Sequence, residues 1–302
     1  MTVRVDFHTH TLASDGALAP AELMTRAAQA GVSMLAMTDH DTLEGYLEGR
    51  HLAAGHGVSL VPGVELSCQW SGAGIHVVGL GFDVDAPVLA DGIASLQAAR
   101  AGRAEEIAAR LEKRGYAGAL AGARACAGGS QIGRPHFARW MVDAGHVADV
   151  GVAFHRYLGR GRIGDVKACW PSLASVTGWL ADAGGIAVVA HPLQYRFTRM
   201  KLRRLLTDFR AAGGRGLEIL SGRQEANQTA AMARLARDFD LYASVGSDFH
   251  RDSTYGPSLG VESRLMAGMP NVVDALQGRT VSADADSAGR ADSAQEQRTS
   301  QT

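Results

Sequence analysis

Eleven histidines are spread over the chain, and their positions separate them. His8 and His10 stand two apart in DFHTH, so on an extended strand both imidazoles fall on one face, where together they could hold one metal ion. His40 sits in Thr38-Asp39-His40, and Glu65 follows the apolar run Val58–Val64. His191 lies in Ala190-His191-Pro192, while Asp248 and His250 belong to Ser247-Asp248-Phe249-His250. His76 opens its own apolar run, and a hairpin through Ser71-Gly72-Ala73-Gly74 would fold it back beside Glu65. Asp15, in Ser14-Asp15-Gly16, is a loop carboxylate. Any one of these alone would read as a solvated or packed residue, and Ser-Asp-Gly is most often only a turn. Nine on one rim are different. Without metal, converging carboxylates would repel one another and converging imidazoles would lack partners. A mixed nitrogen and oxygen sphere of this kind suits Mn, Zn or Fe.

The elements that would make such a rim are short apolar or β-branched runs. Val3–Phe7, Ser33–Met37, Val58–Val64, Ile75–Phe82, Ile186–Ala190, Gly216–Leu220 and Leu241–Val245 read as strands. Between the first two, Ala21–Ala30 reads as a helix, with Pro20 at its start and Gly31 at its stop. This β-helix-β alternation predicts an α/β fold, a parallel sheet or barrel covered by helices. In that architecture sites form at the carboxyl ends of strands, where five of the segments above end. The alternation breaks between about Pro87 and Pro171, where Gly92–Arg114 and Pro135–Ala144 read as helices. The expected organisation is one discontinuous barrel, residues 1–86 and 171–281, with a helical insertion at 87–170 that caps the substrate. Residues 282–302, polar and free of aromatics, read as a disordered tail.

Composition narrows the functional class. The chain has 302 residues, 46% of them hydrophobic, with 30 basic against 31 acidic side chains. That length can bury a large core. The charge balance excludes attachment to long nucleic acid by bulk positive charge. No stretch approaches the roughly 20 apolar residues of a membrane span, and MTVRVDFHTH has no secretory-signal pattern. Cys68, Cys126 and Cys169 are odd in number and far apart, which argues against a disulfide scaffold. A cytoplasmic enzyme is expected. Oligomeric state is not legible.

On the motifs Asp6-Phe7-His8-Thr9-His10, Thr38-Asp39-His40-Asp41, Gly63-Val64-Glu65, Ala190-His191-Pro192 and Ser247-Asp248-Phe249-His250, the chain resembles the PHP (polymerase and histidinol phosphatase) superfamily. The likeness covers residues 3–85 and 170–278. It implies a distorted seven-stranded (β/α) barrel with two or three metals, manganese before zinc or iron. By motif, His8, His10, Glu65 and Asp248 would hold the first metal. Glu65 would bridge to a second, held also by His76 and His191, and Asp15, His40 and His250 would hold a third. The expected nucleophile is a bridging hydroxide held by the cluster, attacking phosphorus in line, with no side chain in that role. Asp39 is a candidate to orient a ligand imidazole. Cys68, close to Glu65, is expected to pack in the core.

Substrate choice is expected in the insertion. Gly133-Arg134-Pro135-His136 starts a helix whose free N–H groups attract anions, and Arg134 could grip a second phosphate. Arg100 and Arg103 share a helix face and could add to it, as could His136. This GRPH motif, with the insertion and the ligand set, resembles the branch that converts nucleoside 3′,5′-bisphosphates to nucleoside 5′-monophosphates and phosphate, and trims short RNA from the 5′ end. The expected partner is therefore a nucleotide or short oligonucleotide, and the basic run Arg196–Arg204 offers a groove for it through Arg203 and Arg204. Three alternatives stand beside this reading. A histidinol-phosphate-type phosphomonoesterase needs the same metals and no second anion site. A related amidohydrolase commonly needs a bridging carbamylated lysine, whereas Glu65 holds the bridging position and Lys113, Lys167 and Lys201 lie outside the motifs. A non-enzymatic, metal-stabilised binding module needs only the cluster.

Overall fold

The computed structural model describes residues 3–166, 170–254 and 256–279. Lys167, Cys169 and the 282–302 tail lie outside the described residues. Strands β1 (Arg4–Asp6), β2 (Val32–Ala36) and β3 (Ser59–Val61) run parallel, with the short β9 (Val261–Glu262) antiparallel on the far side of β1. A second sheet has the order β4 (Gly63–Trp70), β5 (Ala73–Leu80), β6 (Ile186–Val189), β7 (Gly216–Ser221), β8 (Tyr242–Gly246). In it β4, β5 and β6 pair antiparallel, and β6, β7 and β8 pair parallel. The architecture is therefore mixed α/β rather than all-parallel. Two isolated bridges join the sheets, Thr9 with Phe249 just beyond β1 and β8, and His40, beyond β2, with Glu65 inside β4. Among the described residues no continuous ladder closes a ring of strands.

Local chemistry explains where the strands differ from expectation. The apolar run Val58–Val64 is not one strand: it breaks at Pro62, which has no N–H to give a ladder. Glu65 accordingly sits inside β4 instead of after a strand end. Gly63 allows the new strand to pass close to β2, since a Cβ there would lie 2.7 Å from the Met37 carbonyl oxygen. The hairpin that returns His76 is tighter than foreseen. It turns on Ser71 and Gly72 alone, both at positive φ (46° and 72°), the two-residue geometry that matches the twist of paired strands. His76 then stands opposite Ser67, on the strand beside Glu65.

Helices cover the sheets. Pro20–Gln29 begins on Pro20 and buries Leu23, Met24 and Ala27, one stripe at helical spacing. The helices Leu173–Asp182, Arg199–Ala211 and Ala226–Asp238 lay Leu180, Leu205, Phe209 and Leu235 on the core of the second sheet. Pro87–Glu112 links two cores. Its Leu89, Ile93 and Leu96 pack into the sheet core, while Ala104, Ile107 and Leu111 pack with Phe137, Trp140 and Leu158 of the 87–166 helices. This fixes the arginines midway along it. No helix among the described residues is long and apolar enough to cross a membrane.

Candidate functional site

The nine side chains singled out by position meet at one rim. The Nε2 atoms of His8 and His10 are 3.1 Å apart. Both lie 3.3–3.4 Å from Glu65 Oε2 and 3.4–3.5 Å from Asp248 Oδ1. The other Glu65 oxygen is 2.9 Å from both His76 Nδ1 and His191 Nε2. Asp15 Oδ1 is 3.3 Å from His250 Nε2 and 3.9 Å from both His40 Nε2 and His10 Nδ1. Four groups of ligand atoms could each hold an ion: His10, Asp15, His40 and His250; His8, Glu65 and His191; His8, His10 and Asp248; His40, Glu65 and His76.

The donor set fits metal better than it fits itself. His10 Nδ1, Asp15 Oδ1, His40 Nδ1, Glu65 Oε2 and His191 Nδ1 are buried without a hydrogen-bond partner. His40 Nδ1 and Glu65 Oε2 lie 2.9 Å apart but out of hydrogen-bond alignment. Orphaned buried polar atoms are costly, and a cation placed among them removes the cost. Charge states agree at Glu65 and His10, while nearby carboxylates, Glu218, Glu65 and Asp15 among them, outweigh burial and hold His8, His40 and His250 toward the protonated form that an incoming ion would displace. Burial opposes ionisation of Glu65, but the imidazoles of His40, His76 and His8 outweigh it and hold the carboxyl well below its usual range. Burial and the neighbouring charge of His250 push His10 down to about 3, leaving a neutral ring with a lone pair to give.

The backbone is bent to reach this arrangement. His191, Asp248 and Asp41 adopt positive φ (29°, 54° and 53°), which side-chain-bearing residues seldom do outside functional sites. Asp248 is held there by its N–H donating to the His8 carbonyl, 2.8 Å. Gly246 lets β8 pass against β1, since a Cβ there would lie 2.3 Å from His8 Cβ.

Behind the rim stand buried carboxylates that sequence reasoning missed. Glu218, in mid-β7, accepts from His8 Nδ1 (2.6 Å) and from the His191 backbone N–H (2.5 Å). Its first bond places the His8 proton on Nδ1 and frees Nε2 to face the cluster. Asp6 accepts from the N–H groups of Ser247 and Gly260, both at 2.8 Å, and burial still raises its carboxyl to about 6. The signal for both was a carboxylate inside an apolar strand. Asp39 does not orient an imidazole as expected. It accepts from Thr11 N–H (2.8 Å), Thr11 Oγ1 (2.7 Å) and Ser14 Oγ (2.5 Å), and so braces the loop that carries Asp15. Cys68 is buried in the core, as expected, and burial pushes its thiol up.

A cavity of about 630 Å³ opens in front of the rim. Asp15, His40, His76 and His191 line it from the rim, Arg100, Arg103 and Arg134 from the helices, and the unforeseen Arg160 from the turn after Leu158. Arg100 is committed internally: its Nε donates to Asp41 Oδ2 (3.0 Å), and its Nη2 to the same oxygen and to Ser67 Oγ (3.1 Å). Arg103 and Arg134 donate only to backbone carbonyls, of Val166 and Leu158, both at 3.2 Å. Among the described residues neither makes an ion pair. Burial, then the charges of Arg134 and Arg100, hold Arg103 down to about 10 against the opposing pull of Asp165 and Asp41. His136 is not among the residues lining the cavity. Its Nδ1 accepts the Gly133 N–H at 2.9 Å and closes the helix start. In the basic run, Arg203 pairs with Asp238 (2.6 Å), and Arg204 lies over Trp70.

A family model, the PHP domain, matches residues 6–117. The chain is 46% identical over 83% of its length to a 5'-3' exoribonuclease of Haemophilus influenzae, and covers 91% of that protein. The chain belongs to the PHP family. A second relative, the 3',5'-nucleoside bisphosphate phosphatase of Chromobacterium violaceum, is 43% identical over 85% of this chain and 90% of its own. A solved Chromobacterium violaceum structure, described as an amidohydrolase with bound sulfate and no metal, superposes with a TM-score of 0.84 at 40% identity, over 91% of this chain and 96% of that one. The His, Asp and Glu groups able to hold metal are thus those of a PHP chain.

Proposed function

We propose that this PHP chain is a metal-dependent phosphohydrolase that removes the 3′-phosphate of nucleoside 3′,5′-bisphosphates, giving nucleoside 5′-monophosphate and phosphate, and that it also trims short RNA from the 5′ end. One observation carries the reading: four of the nine donors, Asp15, His40, His76 and His191, line the same cavity as the unpaired Arg103 and Arg134. A substrate with two phosphates satisfies both; a monoester leaves the arginines idle, which disfavours the histidinol-phosphate alternative. The names of the two relatives support the same choice.

His8, His10, Glu65 and Asp248 would hold the first metal, with Glu65 shared with a second ion at His76 and His191, and Asp15, His40 and His250 holding a third. The nitrogen and oxygen set suits manganese, zinc or iron alike, and our preference for manganese rests on the PHP likeness. When bound, the ions supply Lewis acidity toward phosphate oxygens and lower the pKa of the attacking water. Arg134 and Arg103 hold the 5′-phosphate and so fix where the 3′-phosphate falls. Glu218 keeps His8 in the binding tautomer. We read the two sheets, bridged at Thr9–Phe249 and His40–Glu65, as an opened form of the distorted seven-stranded barrel, formed by 1–86 and 171–281 and capped by the 87–170 helices. A cytoplasmic setting suits a nucleotide substrate.

The test is Arg134→Ala on adenosine 3′,5′-bisphosphate beside AMP. Loss of a desolvated charge partner costs about 2–5 kcal/mol, so kcat/KM for the bisphosphate should drop at least about thirtyfold. An unchanged value would remove the second anion site and return the monoesterase reading.

A further inference from the structure

A row of rings leads out of the cavity from the cluster. Tyr195 stands edge-on to His191, centroids 5.5 Å apart; Phe197 follows 5.6 Å from Tyr195, and Trp70 5.9 Å from Phe197. Two members are pinned. The Tyr195 hydroxyl accepts the His76 N–H at 2.9 Å, and the Trp70 indole N–H donates to Asp208 Oδ2 at 2.7 Å. Phe197 is pinned by nothing polar; it is half-buried and lines the cavity. The Lys201 ammonium lies 4.3 Å from its centroid and, among the described residues, makes no ion pair. This wall is separate from the arginine wall, whose aromatic neighbour is Trp170, 5.5 Å from Arg100 and 5.8 Å from Arg103.

In the reading above, neither phosphate of a mononucleotide uses Phe197 or Lys201. In both reactions proposed above water adds to phosphorus and the P–O3′ bond breaks, with the proton going to the departing 3′-oxygen. From the bisphosphate the phosphate leaves free. From RNA it leaves still esterified to the 5′-oxygen of the next nucleoside. That next nucleoside is attached directly to the phosphorus held at the cluster, so its seat must open from the cluster and not from the arginine wall. The ring row beginning at His191 is such a seat.

Resting on the phosphohydrolase reading, we infer that Phe197 and Lys201 form the seat for the second nucleotide of an oligoribonucleotide, the base stacking on Phe197 and the following phosphate meeting Lys201. Stacking on aromatic side chains tolerates any base, which suits trimming without a fixed sequence. It also moves the expected groove contact from Arg203, which is turned to Asp238, to Lys201, which lies over the cavity-lining Phe197.

The experiment compares kcat/KM of the Mn²⁺-supplemented enzyme on adenosine 3′,5′-bisphosphate, the 5′-phosphorylated dinucleotide pApA and the trinucleotide pApApA. In Phe197→Ala the ratio of either oligonucleotide to the bisphosphate should fall about tenfold or more, and Phe197→Tyr should restore it. In Lys201→Glu the trinucleotide ratio should fall further than that of pApA, which has no following phosphate. Ratios unchanged in both variants, or equal loss on all three substrates, overturn the seat. A wild-type enzyme that hydrolyses none of the three overturns the phosphohydrolase reading itself.

Discussion

Replacing Glu218 with glutamine should damage metal binding without touching a ligand. The carboxylate gives one oxygen to His8 Nδ1 at 2.6 Å and the other to the His191 N–H at 2.5 Å, and both it and His8 are fully buried. A carboxamide has only one oxygen. If that oxygen keeps the His191 N–H, the amide NH2 faces His8 Nδ1, which must then accept, and the ring proton moves to Nε2, where the lone pair is needed. If it keeps His8, the NH2 meets the His191 N–H and pushes on a backbone already at φ 29°. One of two donors is lost either way. Losing such a supporting partner costs about 10–100-fold in metal affinity or activity, or about 1.4–2.8 kcal/mol. Calorimetric titration with Mn²⁺, beside phosphate release as a function of Mn²⁺ concentration, reads the shift directly, with a thermal melt to show that the variant is folded. A folded Glu218→Gln enzyme with the wild-type metal dependence would refute the tautomer argument.

Arg100→Met should be costly for stability, because it leaves Asp41 buried with Ser67 as its remaining side-chain partner; a loss of about 3–5 kcal/mol in denaturant unfolding is expected, and less than about 1 kcal/mol would contradict it. Metal binding should be pH-dependent. Burial opposes charge on His250, but the Asp15 carboxylate 3.3 Å away outweighs it and brings the ring up to about 9, so an incoming ion must displace a proton. Apparent affinity at that position should rise about tenfold per pH unit from 7 and level off near 9; a flat profile would contradict it. The sign reverses for the metal-free protein. A histidine pKa raised on folding contributes stability below about 6.5 that is lost as pH rises through about 9, so the chelated protein should melt lower at pH 9.5 than at pH 6. The Cys68 thiol, buried and pushed up, should resist alkylation in the folded protein while Cys126 reacts.

The rim was legible because histidine and carboxylate are unusual just after apolar runs, and strand-end position brings His8, His10, His40, His191, Asp248 and His250 together, while Glu65 and His76 reach it from inside β4 and β5. Glu65 was legible by type and misplaced by register, since an apolar run hides a break that only Pro62 makes. The antiparallel middle of the second sheet was legible only at the Ser71–Gly72 turn, where local chemistry shows a hairpin. Glu218 escaped notice because a strand carboxylate usually faces solvent; only the ladder order puts it beneath His8. The arginines divide similarly. Helical spacing put Arg100 and Arg103 on one face, but which of them meets a buried Asp41 depends on contacts from another element. Arg160, in an irregular stretch, has no periodicity to place it, and β9 is two residues long.

The most direct test of the two-phosphate cavity is phosphate release by wild-type enzyme with Mn²⁺, from adenosine 3′,5′-bisphosphate, AMP and histidinol phosphate side by side. Preferential turnover of the bisphosphate, with AMP as the nucleotide product, is expected from donors and unpaired arginines sharing one cavity. Turnover of histidinol phosphate alone would keep the metal cluster and contradict the role given to Arg103 and Arg134.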